Sequence, residues 1–542
     1  MKYKAVIIFL FFLLALYSGQ AQLINVEKPA VIHSNKETIK LYVDGAKEDW
    51  TISPHLKPDY LRIYSATENV KKIKFITDVD SIEFNVNVNH PVNFSIVLKN
   101  KDTAYTTIDF NNQYEKILSP SDKIYALSLF WSEVKYNFAF IDKLKFNLDS
   151  LYKTYVDKIE NTKNDFEFYD QMQRFAASFK DAHTTIDYNN GSPYTDYIPL
   201  LCKYFKDDLL IIVTRKDIAD LYPVGSKILK INGLSVGDYM KEYVDPYIYS
   251  DFQPTVKLLE AYNIFSAKPL TDTISITYQT PNGEIRSGTL PRDGRQKENT
   301  EENIGYHPQR KNPFEINWEA GKIAVVSINT FADSNVIKEF EKAKDTLYTA
   351  KGIIIDLRKN NGGSTNVAWH FLKYIIQDTF FLNFAWQTRV NDGVKKANGN
   401  YIKANADYLN NKAFETHVPD TIFIPANIKK FKVPVVVLIS SQTVSAAEDF
   451  LIILKERTDR PLFIGQPSFG STGSPLVLWN FPKNGRARIC TRRVLFPYSL
   501  KPFTEGITPD IQIDYTFEEF MNPQLDKEID AAIKEIDKSY KQ

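Results

Sequence analysis

Hydrophobic and polar positions follow several different periods along the chain, and each change of period marks a predicted segment. Between residues 22 and 117, short runs such as "KKIKFIT" and "SIEFNVNV" alternate hydrophobic with polar side chains, and Asp, Asn, Pro and Lys separate them. Alternation of this kind predicts half-buried β-strands. The run of short strands favours a small β-sandwich, and because no cluster of reactive side chains occurs in it, we interpret it as an accessory domain.

Residues 118–190 have hydrophobic side chains at three- and four-residue steps instead. The segment "SPSDKIYALSLFWSEVKYNF" opens with Ser and Asp ahead of an apolar face, and "LDSLYKTYVDKIE" and "FEFYDQMQRFAASF" keep the same spacing. This spacing is typical of amphipathic helices, and Ser or Asp is the usual N-cap. The sequence therefore predicts a helical segment here.

Strand-like runs return in residues 191–295. A glycine turn, the strand "KILKING", a tight turn at Asn232 and Gly233 and a following helix resemble the middle of a PDZ domain. Modules of that kind capture extended peptides by adding a strand to a sheet edge. Any β-turn-β-helix unit would give the same order, so both interpretations stay open. The polar stretch from residue 291 to 312 is predicted to be a linker or surface loop.

Residues 310–542 alternate short apolar runs with helical patterns. Strand-like "KIAVVSINTF", "GIIIDLR", "VPVVVLIS" and "PLFIGQ" are separated by helical "VIKEFEKAKDTL", "NVAWHFLKYII" and "SAAEDFLIIL", and a helix in "FEEFMNPQLDKEIDAAIKEIDK" ends the chain. Alternating β and α elements predict an α/β layer structure around a mostly parallel sheet. The whole chain is thus predicted to be a multidomain α+β protein.

The first 21 residues are predicted to be a secretory signal peptide. Lys2 and Lys4 precede the apolar run "AVIIFLFFLLALY", and "SGQAQ" offers cleavage after Ala21. An uncleaved anchor is the alternative, but the run is short for a span of ~20 residues. No other run is long enough, so we expect no membrane span after signal removal. The signal predicts export to the periplasm or the extracellular space, and the composition rich in Lys, Asn and Tyr, together with the "GQAQ" cleavage site, indicates a bacterial protein.

Composition narrows the classes of function. At ~150 residues per domain, 542 residues predict three to four domains, and 43% hydrophobic with 25% charged residues is globular. The net charge of +1 gives no reason to expect nucleic acid as a partner. Cys202 and Cys490 are too isolated for a disulfide framework or a zinc cluster. They are interpreted as buried apolar residues, with a single disulfide between them as the alternative.

Neither a metal nor a cofactor is indicated by the sequence. None of the seven histidines has the spacing of a paired zinc ligand, and the chain has neither a GxxxxGK[ST] nor a dinucleotide GxGxxG motif. Nucleophilic catalysis by a side chain remains the chemistry to consider.

Three separate stretches carry residues suited to that chemistry. "GIIIDLRKNNGGST" ends a strand at Gly362 and Gly363, whose amides have no Cβ beside them and suit a developing oxyanion. "TVSAAEDF" places Ser445 at a helix start, where the helix dipole and the Ala446 amide favour negative charge. "KPFTEGITPDIQI" places Glu505 in a loop before a final strand.

Together these stretches resemble the C-terminal processing (tail-specific) serine peptidases and their relatives, the tricorn core peptidases. The resemblance rests on "DLRKNNGG", "SAAEDF", "FIGQPSFGSTG" and "EGITPD" in that order, preceded by the helical and PDZ-like segments. It covers residues 119–515 and leaves out the N-terminal β-strands. It implies a ClpP/crotonase-like α/β catalytic domain and peptide-bond hydrolysis.

The resemblance also distinguishes between two catalytic designs. One branch uses a lysine base in an "FGKG" turn, but this chain reads "FGSTG", with Ser471 in the place of the lysine. The tricorn-like branch uses a histidine from the helical segment, and "KDAHTTIDY" supplies His183 there. The resemblance therefore implies Ser445 as nucleophile, His183 as general base and Glu505 as the orienting acid.

In the tricorn-like pattern the acid acts through a hydroxyl, and a serine stands directly before the histidine. Ala182 stands there in this chain. Thr184 and Thr185 are the candidate replacements for the relay hydroxyl, and the sequence does not choose between them.

Other charged residues near these motifs have structural interpretations. Glu448 lies three residues after Ser445, which is the spacing of a capping box. Asp356 and Arg358 are expected to hold the end of a strand and the glycine turn that follows.

The resulting hypothesis is an exported serine-type peptidase that hydrolyses polypeptides presented by the PDZ-like module. The alternative is a non-hydrolytic peptide- or hydrophobic-ligand-binding protein on the same fold, because a fold does not dictate a function. A binding protein has no need for serine, histidine and glutamate at all three positions, so the sequence favours the enzyme.

Overall fold

The computed structural model describes residues 118–162, 165–188, 198, 200–265, 273–291, 303–306, 312–482 and 485–540, together with nine short strands in the first 117 residues. The predicted signal peptide lies outside the described residues. The chain forms two compact units. The first comprises Met1–Leu118, Lys163–Phe166 and Leu270–Asp272, and the second comprises Ser119–Thr162, Glu167–Pro269 and Thr273–Gln542.

The described part of the first unit consists mainly of antiparallel strands. They are β1 (Gln22–Ile24), β2 (Ile32–His33), β3 (Thr38–Ile39), β4 (Trp50–Ile52), β5 (Arg62–Ser65), β6 (Val70–Phe75), β7 (Ile82–Asn87), β8 (Val92–Val97) and β9 (Thr103–Ile108). Four small sheets have the orders β1-β4, β2-β3, β5-β6-β7 and β8-β9. The strand prediction is confirmed for these residues, while the packing of a sandwich stays a prediction.

The second unit begins with the predicted helical segment. Its elements are α1 (Pro120–Asn137), α2 (Leu148–Glu160), α3 (Asp165–Ala177) and the short strand β10 (Ile186–Tyr188). Ser119 caps α1, since its side chain accepts a hydrogen bond from the Asp122 amide at 3.1 Å. The helices pack through aromatic side chains, with the Phe130 and Phe175 rings 5.9 Å apart and edge to face. The helical prediction is confirmed.

Next comes an antiparallel module, which we define as residues 200–291. Its elements are β11 (Leu200–Phe205), β12 (Asp208–Arg215), β13 (Lys227–Ile231), β14 (Leu234–Ser235), α4 (Val236–Tyr239), α5 (Gln253–Asn263), β15 (Thr273–Gln279) and β16 (Ile285–Pro291). The sheet has the order β11-β12-β13-β15-β16. Asn232 and Gly233 both have positive φ, at 48° and 82°, as a tight hairpin turn requires. The β-turn-β-helix order is confirmed, and the PDZ-like identity stays a prediction.

The stretch predicted as a linker contains one more strand, β17 (Asn303–Gly305), which pairs with β12. The sequence pattern missed it because the segment is polar and the pairing is long-range. Gly305 adopts a φ of 117° and lies so close to the Ile212 carbonyl that a Cβ would overlap it. The backbone approach, rather than a hydrophobic run, therefore defines this strand.

The remaining residues form the predicted α/β domain. Its elements are β18 (Phe314–Glu319), β19 (Ile323–Ile328), α6 (Asn335–Leu347), β20 (Gly352–Asp356), α7 (Thr365–Ile375), β21 (Phe380–Leu382), β22 (Ala385–Arg389), α8 (Gly393–Asn398), α9 (Ala406–Leu409), β23 (Phe414–His417), β24 (Thr421–Phe423), β25 (Val435–Ile439), α10 (Ala446–Lys455), β26 (Leu462–Gly465), β27 (Pro475–Phe481), β28 (Gly485–Cys490), β29 (Arg493–Leu495), β30 (Ile511–Gln512), α11 (Phe517–Met521) and α12 (Lys527–Ser539).

A six-stranded sheet lies at the centre of this domain, with the order β18-β19-β20-β25-β26-β30. Only β18 is antiparallel to its neighbour, so the prediction of a mostly parallel sheet is confirmed. The side chains of β19 and β20 are buried throughout, which is why those strands read as continuous apolar runs. The carboxyl ends of β20, β25 and β26 meet at one edge, and the three loops that leave them form the site described below.

Smaller sheets flank the central one. They have the orders β10-β28-β27, β23-β22-β29 and β21-β24. The pairing of β10 with β28 fixes the end of the helical segment to the α/β domain. Asp356 and Arg358 were predicted to hold the end of a strand. Arg358 does form an ion pair with Asp356 at 2.9 Å, and it forms a second one with Asp526, the N-cap of α12, at 2.8 Å.

The predicted C-terminal helix is wrong in one respect, because two helices occupy its residues. α11 ends before Pro523, and Asn522 is extended at φ −84° and ψ 106°. Proline disfavours the helical conformation in the residue before it and donates no hydrogen bond, so the helix stops there. α12 starts again with Asp526 as its N-cap.

Cys202 and Cys490 are both buried and free, which confirms the apolar interpretation over a disulfide. Within the described ranges, no helix combines the length and the hydrophobicity needed to cross a bilayer.

Candidate active site

Ser445 occupies a strained position between β25 and α10. Its backbone has φ 57° and ψ −122°, a region that residues with a side chain rarely adopt. Such strain persists only where the surrounding structure enforces it, and it concentrates at functional sites. The conformation places a hydroxyl at the start of a helix and at the edge of the central sheet, where nucleophiles of α/β enzymes are found.

The polar residues before Ser445 hold this conformation. The Ser440 hydroxyl donates to the Arg358 carbonyl at 2.5 Å, and the Thr443 hydroxyl donates to the Leu357 carbonyl at 2.9 Å. The Val444 amide donates to the Asn360 carbonyl at 3.0 Å. The loop after β25 is thus fixed to the loop after β20, which explains the polar interruption between two apolar runs.

Of the two predicted oxyanion glycines, Gly362 lies beside the serine. The Gly362 amide donates to the Asn360 side chain at 2.9 Å, so it is engaged within the loop. A Cβ on Gly362 would lie 2.7 Å from the Ser445 Cβ and 3.0 Å from the Ala446 amide nitrogen. The prediction of Gly362 as an oxyanion donor is therefore corrected. Ala446 directly follows the nucleophile as the first residue of α10, and the role of Gly363 as a donor stays a prediction.

Gly363 adopts a φ of 137°, and a Cβ there would overlap the backbone of Phe331 and Ala332. Only glycine fits both the conformation and the close approach. This packing fixes the glycine loop against the chain that follows β19.

His183 reaches the same place from the helical segment. The Thr185 amide donates to the Arg488 carbonyl at 3.1 Å, and the Arg488 amide returns a bond to the Thr185 carbonyl at 2.8 Å. These contacts continue the β10–β28 pairing up to the histidine. The His183 Nε2 atom lies 3.5 Å from the Ser445 Oγ atom. The structure therefore brings these two predicted residues together.

The other ring nitrogen of His183 contacts Ser471. The Nδ1 atom and the Ser471 Oγ atom are 2.7 Å apart. Desolvation of the ring, together with the positive charge of Arg488, lowers the pKa of His183 to about 4. A ring that is neutral at pH 7 and donates from Nδ1 has a free Nε2 lone pair directed at Ser445, which is the tautomer that a general base requires.

Neither hydroxyl of the two predicted relay threonines is hydrogen-bonded to the His183 ring, whose nitrogens face Ser471 and Ser445. The Thr184 hydroxyl donates to Asp181 at 2.5 Å and accepts from the Cys490 amide at 3.0 Å. The Thr185 hydroxyl accepts from the Arg488 guanidinium at 3.0 and 2.7 Å. Both hydroxyls stabilise the turn that carries the histidine, so the relay prediction is corrected in favour of Ser471.

Glu448 is buried beneath the nucleophile and receives four hydrogen bonds. Its Oε1 atom accepts from the Ser468 hydroxyl and the Gly470 amide, each at 2.6 Å. Its Oε2 atom accepts from the amides of Ser471 at 2.9 Å and Ser445 at 3.3 Å. Burial raises the pKa of Glu448 to about 8, and the four donors oppose that rise. One carboxylate thus holds both the nucleophile and the partner of the histidine.

Glu505 is exposed, and no hydrogen bond joins its carboxylate to His183 among the described residues. Its backbone packs against Gly470, where a Cβ would lie 3.3 Å from the Glu505 carbonyl carbon. Its negative charge raises the pKa of Lys143, although burial of that lysine lowers the pKa more. The structure therefore places Glu505 next to the turn that carries Ser471 but not on the histidine.

The segments that carry His183, Ser445 and Ser471 share a hydrophobic contact with the antiparallel module. Phe469 belongs to the buried core of that module, and Ala182 and Val444 pack against it. In addition, the buried Thr255 hydroxyl at the start of α5 donates to the Phe469 carbonyl. The site is therefore assembled at the junction of the α/β domain, the helical segment and the module.

Comparison with known proteins assigns the α/β domain. The peptidase family S41 model matches residues 322–513. These residues form a peptidase S41 domain. The S41 domain is a serine peptidase domain and contains Ser445 and Glu505, whereas His183 lies in the helical segment ahead of it. No curated protein sequence matches the chain.

Solved structures share the fold beyond the S41 domain. Mature CPAF is 14% identical, with a TM-score of 0.57 over 74% of this chain and 94% of that chain. Mature CPAF complexed with lactacystin is 13% identical, with a TM-score of 0.56 over 78% of this chain and 97% of that chain. The photosystem II D1 C-terminal processing protease is 15% identical, with a TM-score of 0.39 over 72% and 93% of the two chains. The two CPAF structures show that most of the chain shares their fold.

Three residues of the site were not assigned a role in it by the sequence. Ser471 was noted only as the residue in place of a lysine, Glu448 only as a helix cap, and Asn360 not at all. A signal existed for Ser471, because a hydroxyl in the place of a catalytic lysine is still beside the nucleophile. No signal in the sequence pairs Asn360 with Val444 or shows that Glu448 binds a turn 22 residues later.

Proposed function

We propose that this chain is an exported serine endopeptidase that cleaves polypeptides by acyl transfer to Ser445. His183 takes the proton from the Ser445 hydroxyl through Nε2 and returns it to the leaving amine. The amides of Gly363 and Ala446 bind the oxyanion of the tetrahedral intermediate. The observation that carries the proposal is the position of His183 between two serine hydroxyls, at 3.5 Å from Ser445 and 2.7 Å from Ser471.

Ser471 takes the role of the orienting hydroxyl in this proposal. It accepts from Nδ1, keeps the ring in the tautomer that frees Nε2, and has its own hydroxyl proton to give to a carboxylate. We propose that the Glu505 carboxylate accepts the hydrogen bond from the Ser471 hydroxyl, because the Glu505 backbone adjoins Gly470. Glu448 holds Ser471 in position. Glu505 therefore keeps its predicted place as the acid, one hydrogen bond removed from the histidine.

The proposal includes two further expectations from the sequence. The N-terminal 21 residues direct export, and the antiparallel module acts as the PDZ-like site that presents extended polypeptide to the S41 domain. Both are independent of the catalytic residues and can fail without affecting them.

Labelling with a fluorophosphonate probe tests the proposal on the mature protein. The probe reacts with serine only when the hydroxyl is activated. We expect labelling of the wild type and of Ser441→Ala, a matched change in the same loop, and loss of labelling in Ser445→Ala and His183→Ala. Persistent labelling of Ser445→Ala would contradict the assignment of the nucleophile. A folded wild type that takes up no probe would favour a binding protein on this fold.

A further inference from the structure

Arg389, at the end of β22, is a buried arginine whose charge is not paired. The residue is only 7% exposed. Within the part of the chain that the structure describes, none of its three guanidinium nitrogens has a hydrogen-bond partner, and each is shielded from solvent. Burial of an unpaired charge is strongly destabilising, so a protein retains one only where a partner compensates it. The residue therefore requires an explanation.

A second buried arginine, Arg493, lies on the same face of the β23-β22-β29 sheet. Arg493 is paired with Gln387, and Arg389 lies two positions further along β22, so the two arginines share one face. Their guanidinium carbons lie 4.6 and 5.3 Å from the centroid of the Phe414 ring. The Nε atom of Arg493 is also buried and has no hydrogen-bond partner among the described residues. Two positive charges with free donors are thus held beside one aromatic ring.

Asp142 supplies negative charge near the two arginines, but it is bonded to only one of them. It accepts a hydrogen bond from the Arg493 Nη2 atom, which also donates to the Ala139 carbonyl at 2.8 Å. Burial lowers the pKa of Arg389, the charge of Asp142 opposes this, and the charge of Arg493 adds to it. An arginine stays protonated despite such a shift. The pair therefore keeps an excess of positive charge.

We propose that Arg389 and Arg493 bind a small monovalent anion of the halide class, with chloride as the natural occupant. The anion accepts charge-assisted hydrogen bonds from the free guanidinium nitrogens of both residues. Because these nitrogens are shielded from solvent, the site has no access for the carboxylate of a polypeptide. An ion that enters it must lose most of its water, which favours bromide and chloride over the strongly hydrated fluoride. This site is separate from the proposed peptidase function and does not depend on it.

The anion would stabilise the contact between the helical segment and the α/β domain. The Ala139 carbonyl accepts from Arg493, and the Ala139 amide donates to the Cys490 carbonyl at 2.9 Å. The Cys490 amide in turn donates to the Thr184 hydroxyl, next to His183, at 3.0 Å. A partner for the two guanidiniums fixes the first of these contacts, so we expect its effect in the stability of the protein.

Thermal unfolding of the mature protein in different sodium salts gives the first test. Ionic strength is held constant with gluconate as the reference anion. We expect a saturable rise in the melting temperature of at least about 2 °C when chloride is about twentyfold above its Kd. Bromide should stabilise at least as much as chloride, and fluoride least. A general salt effect has the opposite order, because strongly hydrated anions stabilise most. A wild type that fluoride stabilises most would therefore contradict the inference.

Two methionine variants identify the site. Arg389→Met should abolish the response to chloride, and in gluconate it should be as stable as wild type or more, because the unpaired charge is gone. Arg457→Met is the matched control, since the Arg457 side chain is also buried but is ion-paired with Asp378 at 2.6 Å and Asp459 at 3.0 Å. It should keep the wild-type response to chloride. An Arg389→Met protein that loses the same stability in every salt would show a structural role and contradict the inference.

Anomalous diffraction from wild-type crystals grown in bromide tests the site whether or not Arg389→Met folds. We expect an anomalous peak between the guanidiniums of Arg389 and Arg493. A map without a peak there at saturating bromide would overturn the inference.

Discussion

Replacement of Ser471 by alanine tests the core of the catalytic arrangement. The change removes one hydroxyl, which is 2.7 Å from His183 Nδ1, and the side chain is only 7% exposed, so water cannot readily replace it. Loss of one partner in a buried hydrogen bond costs about 1–3 kcal/mol. At about 1.4 kcal/mol per factor of ten, the expected loss in kcat is about 5- to 150-fold.

The loss should be in kcat rather than KM, because the Ser471 hydroxyl contacts the histidine and not the substrate. Without this acceptor, the imidazole no longer prefers the tautomer with a free Nε2 lone pair, and a smaller fraction of the enzyme is competent. Steady-state kinetics on a quenched fluorogenic peptide measure both parameters. The rate of fluorophosphonate labelling reports the activation of Ser445 without any substrate preference.

Ser474→Ala is the matched control, since Ser474 is exposed and lies three residues further along the same turn. It should keep wild-type kinetics. The melting temperature of Ser471→Ala must stay within a few degrees of wild type for the comparison to hold. A folded Ser471→Ala enzyme whose kcat and labelling rate stay within twofold of wild type would refute the orienting role of this hydroxyl.

Three further predictions concern the same site. Glu448→Gln should lower kcat by at least 100-fold, because an amide nitrogen replaces an oxygen that accepts two hydrogen bonds. Glu505→Gln should lower kcat by less than 10-fold. The reverse order in steady-state kinetics would contradict the roles given to the two carboxylates. Gly363→Ala should destabilise the protein by about 1–3 kcal/mol or more in urea unfolding and abolish labelling, while Gly237→Ala, at a position with open space, should do neither. Because the pKa of His183 is lowered to about 4, kcat/KM should fall with acid near pH 4, and a fall centred near 6.5 would argue against a desolvated base.

The same shift has a consequence for stability. The unfolded histidine takes up a proton near pH 6.5, and the folded one only near pH 4. The unfolded state therefore binds more protons between these values, and the stability contributed by neutral His183 is present above pH 6.5 and lost as the pH falls towards 4. Replacement by a residue that does not titrate should flatten the stability curve in this window.

Much of the fold was readable from local pattern. Strands β19 and β20 of the central sheet are buried on both faces, so each appears as an apolar run, and the helices beside them keep one apolar face. The C-terminal break was missed even though Pro523 signals it, because the hydrophobic period continues on both sides. β17 was missed because its pairing with β12 depends on the close approach of Gly305 to the Ile212 carbonyl, and these residues are about 90 positions apart in the sequence.

The candidate site was readable only in part. Ser445 and His183 were found through short motifs with an order along the chain, and the structure brings them together. The partner of Nδ1 was misassigned to Thr184 or Thr185, because sequence neighbours were the only candidates for a contact that is made across 288 positions. The engaged amide of Gly362 and the strained backbone of Ser445 result from packing between loops and have no counterpart in local composition.

Residues close in sequence to His183, Ser445 and Ser471 all pack in the hydrophobic core of the antiparallel module. Ala182 precedes His183, Val444 precedes Ser445 and Phe469 lies two residues before Ser471, and the same cluster holds them. A chain in which this module has not yet folded therefore lacks an assembled site, although every catalytic residue is already present. The arrangement of Ser445, His183 and Ser471 therefore depends on the folding of a module that precedes the S41 domain in the chain.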